Sequence, residues 1–204
     1  MSKTKLHWEN VFSSKKENEV SWFQEYPQTS VEFIALFEMP LDSNIIDVGG
    51  GDSYFIDALI EKGYSNLFLL DISENAINRA KKRLGQNAKH VTFIISDITD
   101  FAPEVKFHFW HDRAAFHFLT DEKQINKYVS IAENAIEKEG YLILGTFSEQ
   151  GPTQCSGLEI KQYNKASMSD RFEKSFVRIK CIEEDHATPF NTLQNFLFCS
   201  FQKK

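Results

Sequence analysis

Cysteine, proline and glycine are all scarce in this chain: three, five and nine among 204 residues. Cys155, Cys181 and Cys199 are odd in number and far apart, so they offer no disulfide framework and no zinc spacing, and they predict reduced thiols in a cytoplasm. Basic charge is also in short supply. The 23 Lys and Arg residues are outnumbered by 29 Asp and Glu, for a net charge of −6. Holding a phosphate backbone takes clustered Lys and Arg, so a nucleic-acid partner is not expected, whereas small molecules and basic proteins remain open. No apolar run approaches membrane-spanning length, and the opening MSKTKLHWENVF lacks the apolar core of a secretory signal. No membrane partner and a cytoplasmic location follow as expectations. Hydrophobic residues at 42% and charged residues at 25% fit one soluble domain with a substantial core.

Against so few glycines, three stand side by side in IIDVGGGDSY, residues 45–54. Ile45, Ile46 and Val48 read as a buried strand, Gly49, Gly50 and Gly51 permit a turn that side chains would block, and Asp52 and Ser53 can cap a following helix. Strand, glycine turn and helix start together let backbone approach a ligand closely.

The same alternation continues along the chain. Residues 44–48, 66–71, 91–96, 107–111 and 141–147 read as strands. Between them lie helices: one over 53–63 stopped by Gly63, one capped by Ser73 with Ile77, Ala80 and Leu84 on one face, and one from Asp121 to a stop at Gly140. Ser167 and Asp170 stand in capping-box positions for a short helix over 167–172. Residues 177–184 and 194–202 read as two strands turning at Pro189 and Asn191. The fold class is therefore α/β, a seven-stranded, mostly parallel sheet with an antiparallel last strand. Residues 1–28 are different: polar, with Trp8, Phe12, Trp22, Phe23 and Tyr26 interspersed. They read as a lid segment ahead of a single domain over 29–204, with Trp22 and Tyr26 placed to close over a ligand.

Ligands of such sheets sit at the carboxyl ends of the strands, and here each of the first three ends in acid. Asp47 precedes the glycine turn, Asp71-Ile72 ends the second strand, and Asp97-Ile98 follows the third. A carboxylate at the second strand's tip can accept from both ribose hydroxyls. Asp97 can accept from an adenine amino group with Ile98 packed on the ring, and Asp47 with the glycine turn can face a charged amino-acid end. A dinucleotide site would place a third glycine where Tyr54 stands, and nothing basic is nearby to meet a pyrophosphate. A cationic adenosine cofactor, S-adenosylmethionine, suits acidic strand ends better.

DVGGG, Asp71 and Asp97-Ile98 resemble the cofactor motifs of class I S-adenosylmethionine-dependent methyltransferases, over roughly residues 30–204. VSWFQEYPQTS, WHDRAAFHFLTD and GTFSEQGPTQCSGL are similar to a group of small bacterial methyltransferases, and there is a more distant similarity to small protein-lysine methyltransferases. The resemblance implies Gly49, Gly50, Gly51, Asp47, Asp71, Ile72, Asp97 and Ile98 as cofactor contacts, and a small-molecule or protein side-chain acceptor. His111 and Asp112, just past the fourth strand, are the candidates to take a proton from an amine acceptor. A structural cluster in which Asp112 holds Arg113 is the competing reading of that stretch, and an inert loop thiol is the favoured reading of Cys155. An alternative from another class is a cofactor-binding sensor that has lost the chemistry. The chain offers no metal site: His111 and His117 are spaced poorly and lack a third ligand.

Overall fold

The computed structural model describes residues 2–204. The chain opens with helix α1 (Lys3–Ser14) and a single 3-10 turn (Glu17–Glu19), and then α2 (Gln28–Ala35) leads into β1 (Asn44–Val48). There follow α3 (Phe55–Glu61), β2 (Asn66–Asp71), α4 (Glu74–Leu84), β3 (Val91–Ile95), β4 (Phe107–Arg113), α5 (Glu122–Ala135) and β5 (Ile136–Phe147). A small hairpin of β6 (Gln154–Cys155) and β7 (Leu158–Glu159), helix α6 (Lys165–Phe172), β8 (Phe176–Ala187) and β9 (Leu193–Lys203) complete it.

Seven strands form one sheet in the order β3-β2-β1-β4-β5-β9-β8. β1 to β5 are mutually parallel, and β9 alone runs against them, inserted between β5 and β8. The antiparallel strand is therefore inside the sheet, and the edge strand β8 points the same way as β1. Strand order reverses between β1 and β4, which places the crevice for a ligand at their carboxyl ends.

Both faces of the sheet are covered, so the central strands are continuous apolar runs. Ile45, Leu67, Leu69, Phe109 and Ile143 pack under α2, α3 and α4, whose Ile34, Leu59, Ile77 and Ala80 are fully buried. Ile46, Leu70, Trp110, Leu142 and Leu144 face α5 and α6. The alternation has a consequence for β4: Phe109, His111 and Arg113 project to the first side, Trp110 and Asp112 to the second.

Three local expectations need correction. The fifth helix stops at Ala135 rather than Gly140, and the chain passes straight into β5. Gly140 follows Glu139 (φ +64°) at a kink where an added Cβ would stand 2.8 Å from Ile136 Cγ2 and 3.1 Å from the His108 carbonyl oxygen. The capping box of α6 is formed by Asn164 and Ser167, not Ser167 and Asp170: the Asn164 side chain accepts from the Ala166 and Ser167 backbone N–H groups, and Ser167 Oγ accepts from that of Asn164. The cysteines are not three free thiols. Cys181 and Cys199 lie directly opposite in the β8–β9 ladder, with Cα atoms 4.2 Å apart, and are joined by a disulfide, leaving Cys155 as the buried free thiol. Their spacing along the chain conceals this, because the pairing is set by hairpin register.

Candidate active site

A cavity of about 170 Å³ opens at the carboxyl ends of β1, β2, β3 and β4. Its floor is the glycine turn. Gly49 (φ +64°) and Gly51 (φ +53°) adopt the left-handed conformation that glycine accepts without penalty. Each glycine also lacks room for a side chain. A Cβ would stand 2.4 Å from Ala115 Cβ at Gly49, 2.3 Å from Asp47 Oδ2 at Gly50, and 3.0 Å from Phe12 Cζ at Gly51.

Asp71 ends β2 at 5% exposure, its Oδ1 accepting from the Ser73 backbone N–H at 2.8 Å. Burial pushes its carboxyl up to about 7, helped by the nearby Asp52 and Asp47 charges and opposed by N–H groups of Ser73 and Gly51. Asp97 uses Oδ1 to cap the short turn after β3, accepting from Thr99 N and Thr99 Oγ1. Ile72, Ser96 and Ile98 line the cavity beside these carboxylates. Asp47 is buried, and its Oδ2 has no hydrogen-bond partner.

At the tip of β4 the structure separates the two residues expected to share a task. His111 lines the cavity, but both ring nitrogens are engaged: Nδ1 with Asp47 Oδ1 at 2.7 Å and Nε2 with Ser30 Oγ at 2.8 Å, with Phe55 against the ring. All three members of this Asp47–His111–Ser30 chain are buried. It ties β1 and β4 to α2 and leaves His111 no free nitrogen for an incoming proton. Asp112 is a correction. It does not line the cavity, because strand alternation turns it to the opposite face. There its Oδ1 accepts from the Ala115 and Phe116 N–H groups, each at 3.0 Å, and its Oδ2 from the Tyr128 hydroxyl at 2.8 Å. Nor does it hold Arg113, whose Nη1 donates to the Trp22 carbonyl at 2.9 Å. His117 is a core histidine, its pKa pushed down to about 3 by burial and by Arg113. Burial pushes the Cys155 thiol up to about 11, leaving it protonated and unreactive at neutral pH.

Residues ahead of α2 roof the cavity. Trp8, Phe12, Val20, Trp22 and Phe23 line it, with Trp8 edge-on to Trp22 and Phe118. Tyr26 does not; it is 44% exposed and lies outside, so of the two lid candidates Trp22 lines the cavity and Tyr26 does not. The roof is pinned by polar contacts that sequence reading overlooked. Glu9 accepts from Ser73 Oγ and from the N–H groups of Glu74 and Asn75, so a carboxylate of α1 caps the N-terminus of α4. Arg79 bridges Asp52, at 2.9 Å, and the Lys15 carbonyl. A helix N-cap carboxylate supplied from 64 residues away leaves no local sequence signal.

A methyltransferase-domain family model matches residues 42–194, three quarters of the sequence, and the chain belongs to that family. It is 23% identical over 192 residues to EEF1A lysine methyltransferase 2 of Mus musculus, covering 85% of this chain and 71% of that protein. It is 25% identical over 107 residues to malonyl-[acyl-carrier protein] O-methyltransferase 2 of Ilyobacter polytropus, covering 52% of this chain and 40% of that one. Among solved structures, the fold matches the N-methyltransferase NodS from Bradyrhizobium japonicum in complex with S-adenosyl-L-homocysteine (TM-score 0.70, 15% identity, 99% of both chains). It also matches a SAM-dependent methyltransferase from Anabaena variabilis (TM-score 0.75, 14% identity, 100% and 96%). The protein is a methyltransferase with S-adenosylmethionine as its cofactor. The site fits that group. The glycine floor lines the cavity with backbone and no side chains, Asp47 Oδ2 lacks a donor, and the buried Asp71 carboxylate, with no cation against it, can gain hydrogen bonds from ribose hydroxyls.

Proposed function

We propose that the methyl acceptor is a small molecule, or an exposed side chain of a protein, that reaches the cofactor between the roof formed by residues 8–24 and the tip of β4. The observation that carries this is the roofed, aromatic-lined cavity of about 170 Å³ at the strand ends. Among the described residues no further substrate module is built onto the sheet. Relatives named for a lysine of an elongation factor and for a malonyl group on a carrier protein support including protein-borne acceptors.

S-adenosylmethionine supplies a methyl group on a sulfonium, which leaves as a neutral thioether without acid assistance. In this reading Asp71 holds the ribose, Asp97 and Ile98 the adenine, and Asp47 with Gly49, Gly50 and Gly51 the amino-acid end. Trp22, Trp8 and Phe12 exclude water above the sulfonium. With His111 and Asp112 committed to structural bonds, the chain's contribution is to hold the acceptor's lone pair in line with the methyl group, which positioning alone accelerates strongly. His111 then acts through Asp47, by fixing the carboxylate that flanks Gly50. A cytoplasmic setting belongs to the same reading.

The test is a screen of amines, thiols, carboxylates and cell extracts with methyl-labelled S-adenosylmethionine. Label transferred to an acceptor, and lost on blocking the cavity with S-adenosylhomocysteine, supports the proposal. Transfer that persists with the cavity blocked refutes it.

A further inference from the structure

The cavity is acidic on one side and carries a single cation on the other. Asp47, Asp71 and Asp97 stand at the ends of β1, β2 and β3, where the cofactor is placed. Arg113 ends β4, and its side chain runs the opposite way, across the sheet toward β9, with the guanidinium carbon 4.9 Å from the centroid of the Phe196 ring. It lines the cavity together with Trp22, Phe118 and Cys155.

This guanidinium is poorly satisfied. Its hydrogen bond is the one from Nη1 to the neutral Trp22 carbonyl, and Nε is buried with no partner. Among the described residues no carboxylate comes within ion-pair distance of it. Glu184 and Asp47 add attraction from beyond contact distance, and both are engaged elsewhere, Glu184 by the Thr29 hydroxyl at 2.5 Å and Asp47 by His111 at 2.7 Å. Desolvation pulls the Arg113 pKa down to about 10, which still leaves it charged at neutral pH. A half-buried cation with a buried, unpartnered Nε and no anion in contact is costly and calls for an explanation. A planar fork with free N–H groups at the edge of a ligand cavity matches a carboxylate, which it can take in two parallel hydrogen bonds. The aromatic walls suit an apolar body behind that carboxylate.

We propose that Arg113 is the anion-binding subsite of the methyl acceptor: it captures a carboxylate carried by the acceptor and so fixes the acceptor beside the tip of β4. The inference rests on the reading of this cavity as the cofactor and acceptor site. The same chemistry is present in the cofactor's own methionine carboxylate, but Arg113 extends toward β9, away from the strand ends that hold the cofactor.

The experiment uses the full chain saturated with S-adenosylhomocysteine, with phenylacetate and its neutral isostere phenylacetamide as probes, read by calorimetry. Charge-assisted hydrogen bonds predict that the wild type binds phenylacetate about ten- to hundredfold more tightly than phenylacetamide. In Arg113→Gln that preference should shrink to within about threefold while the affinity for S-adenosylhomocysteine stays within about threefold of the wild type. Loss of the Trp22 carbonyl contact alone loosens the roof and weakens both probes equally, so the ratio isolates charge recognition. Arg113→Lys keeps the cation and should retain part of the preference, which covers the case in which Arg113→Gln does not fold. Equal binding of the two probes by the wild type, or an undiminished preference in Arg113→Gln, overturns the proposal. So does a fall in S-adenosylhomocysteine affinity with the probe ratio unchanged, which assigns Arg113 to the cofactor's carboxylate. If the wild type fails to bind S-adenosylhomocysteine at all, the site reading itself falls, and that is seen before any probe is added.

Discussion

Asp71→Asn should make the protein without cofactor more stable and, at the same time, worse at its task. The carboxyl is buried, and its pKa rises from the ordinary 3.8 to about 7. The folded chain therefore binds this proton more tightly than the unfolded chain. The resulting stability is complete below pH 3.8 and is lost as pH rises through about 7. The gap of about three pH units, at about 1.36 kcal/mol each, puts the cost of burying this group at about 4 kcal/mol near pH 8, where it is ionised, and about 1.5 kcal/mol near pH 5, where folding must protonate it. These are upper values, since water in the cavity screens the charge. Asparagine keeps the acceptor that meets the Ser73 N–H and carries no charge. A chain of this size gains about 2–4 °C in melting temperature per kcal/mol, so Asp71→Asn should melt up to about 8–15 °C higher near pH 8 and only a few degrees higher near pH 5. Cofactor affinity should fall by about 1.5–3 kcal/mol, because hydrogen bonds to a charged acceptor are lost. In the wild type the same carboxylate makes S-adenosylhomocysteine bind more weakly as pH falls below about 7. Scanning calorimetry at both pH values and a titration with S-adenosylhomocysteine measure all of this. A lower melting temperature for Asp71→Asn near pH 8, or an unchanged cofactor affinity, would refute the reasoning.

Burial pushes the Asp112 carboxyl up to about 6 against its three donors, so its ionised form is costly although well bonded. Asp112→Ala, which removes the acceptor of the Ala115 and Phe116 N–H groups and of the Tyr128 hydroxyl, should lower stability by about 1–3 kcal/mol and leave turnover close to normal once an acceptor is known; slowed turnover at unchanged stability would return Asp112 to the chemistry. Glu9→Ala removes the carboxylate that caps α4 and should cost about 0.5–2 kcal/mol. Faster release of S-adenosylhomocysteine in stopped-flow measurements should accompany it, because α1 carries Phe12 over the glycine turn; an unchanged release rate would show that the roof holds without this contact. Burial pushes the Glu9 carboxyl up, but the Glu74, Asn75 and Ser73 donors together hold it below its ordinary value, so this anchoring is lost as pH falls into the acid range. Reducing the Cys181–Cys199 disulfide reopens a loop with a sequence separation of 18, and loop entropy puts the loss at about 3 kcal/mol. A melting temperature unaffected by dithiothreitol would contradict this.

Much of the fold was legible in the order of residues because its signals are local. Ile45, Ile46 and Val48 declare a buried strand, Ser73 caps the helix it precedes, and three adjacent glycines mark a turn wherever they fall. The acids at positions 47, 71 and 97 could be assembled into one site before any coordinates, since in parallel sheets of this kind strand ends converge by rule. Where reading failed, the deciding contact was distant. Gly140 looked like a helix stop, but it answers to the His108 carbonyl on the neighbouring strand.

The sequence by itself determined the alternation of strands and helices, the glycine floor and the acidic strand ends, since periodicity, turn chemistry and residue type act over a few neighbours. Tertiary structure alone decided that His111 is enclosed by Asp47 and Ser30, that Asp112 faces the opposite side of the sheet from its neighbour, and that Cys181 meets Cys199. It also decided that Glu9 caps a helix 64 residues away and that Arg113 Nε is left without a partner at the cavity wall. The physical reason is the same in each case. Adjacent strand residues point to opposite faces, so what a side chain meets is set by sheet order, register and the helices packed above, none of which is written in the residues beside it.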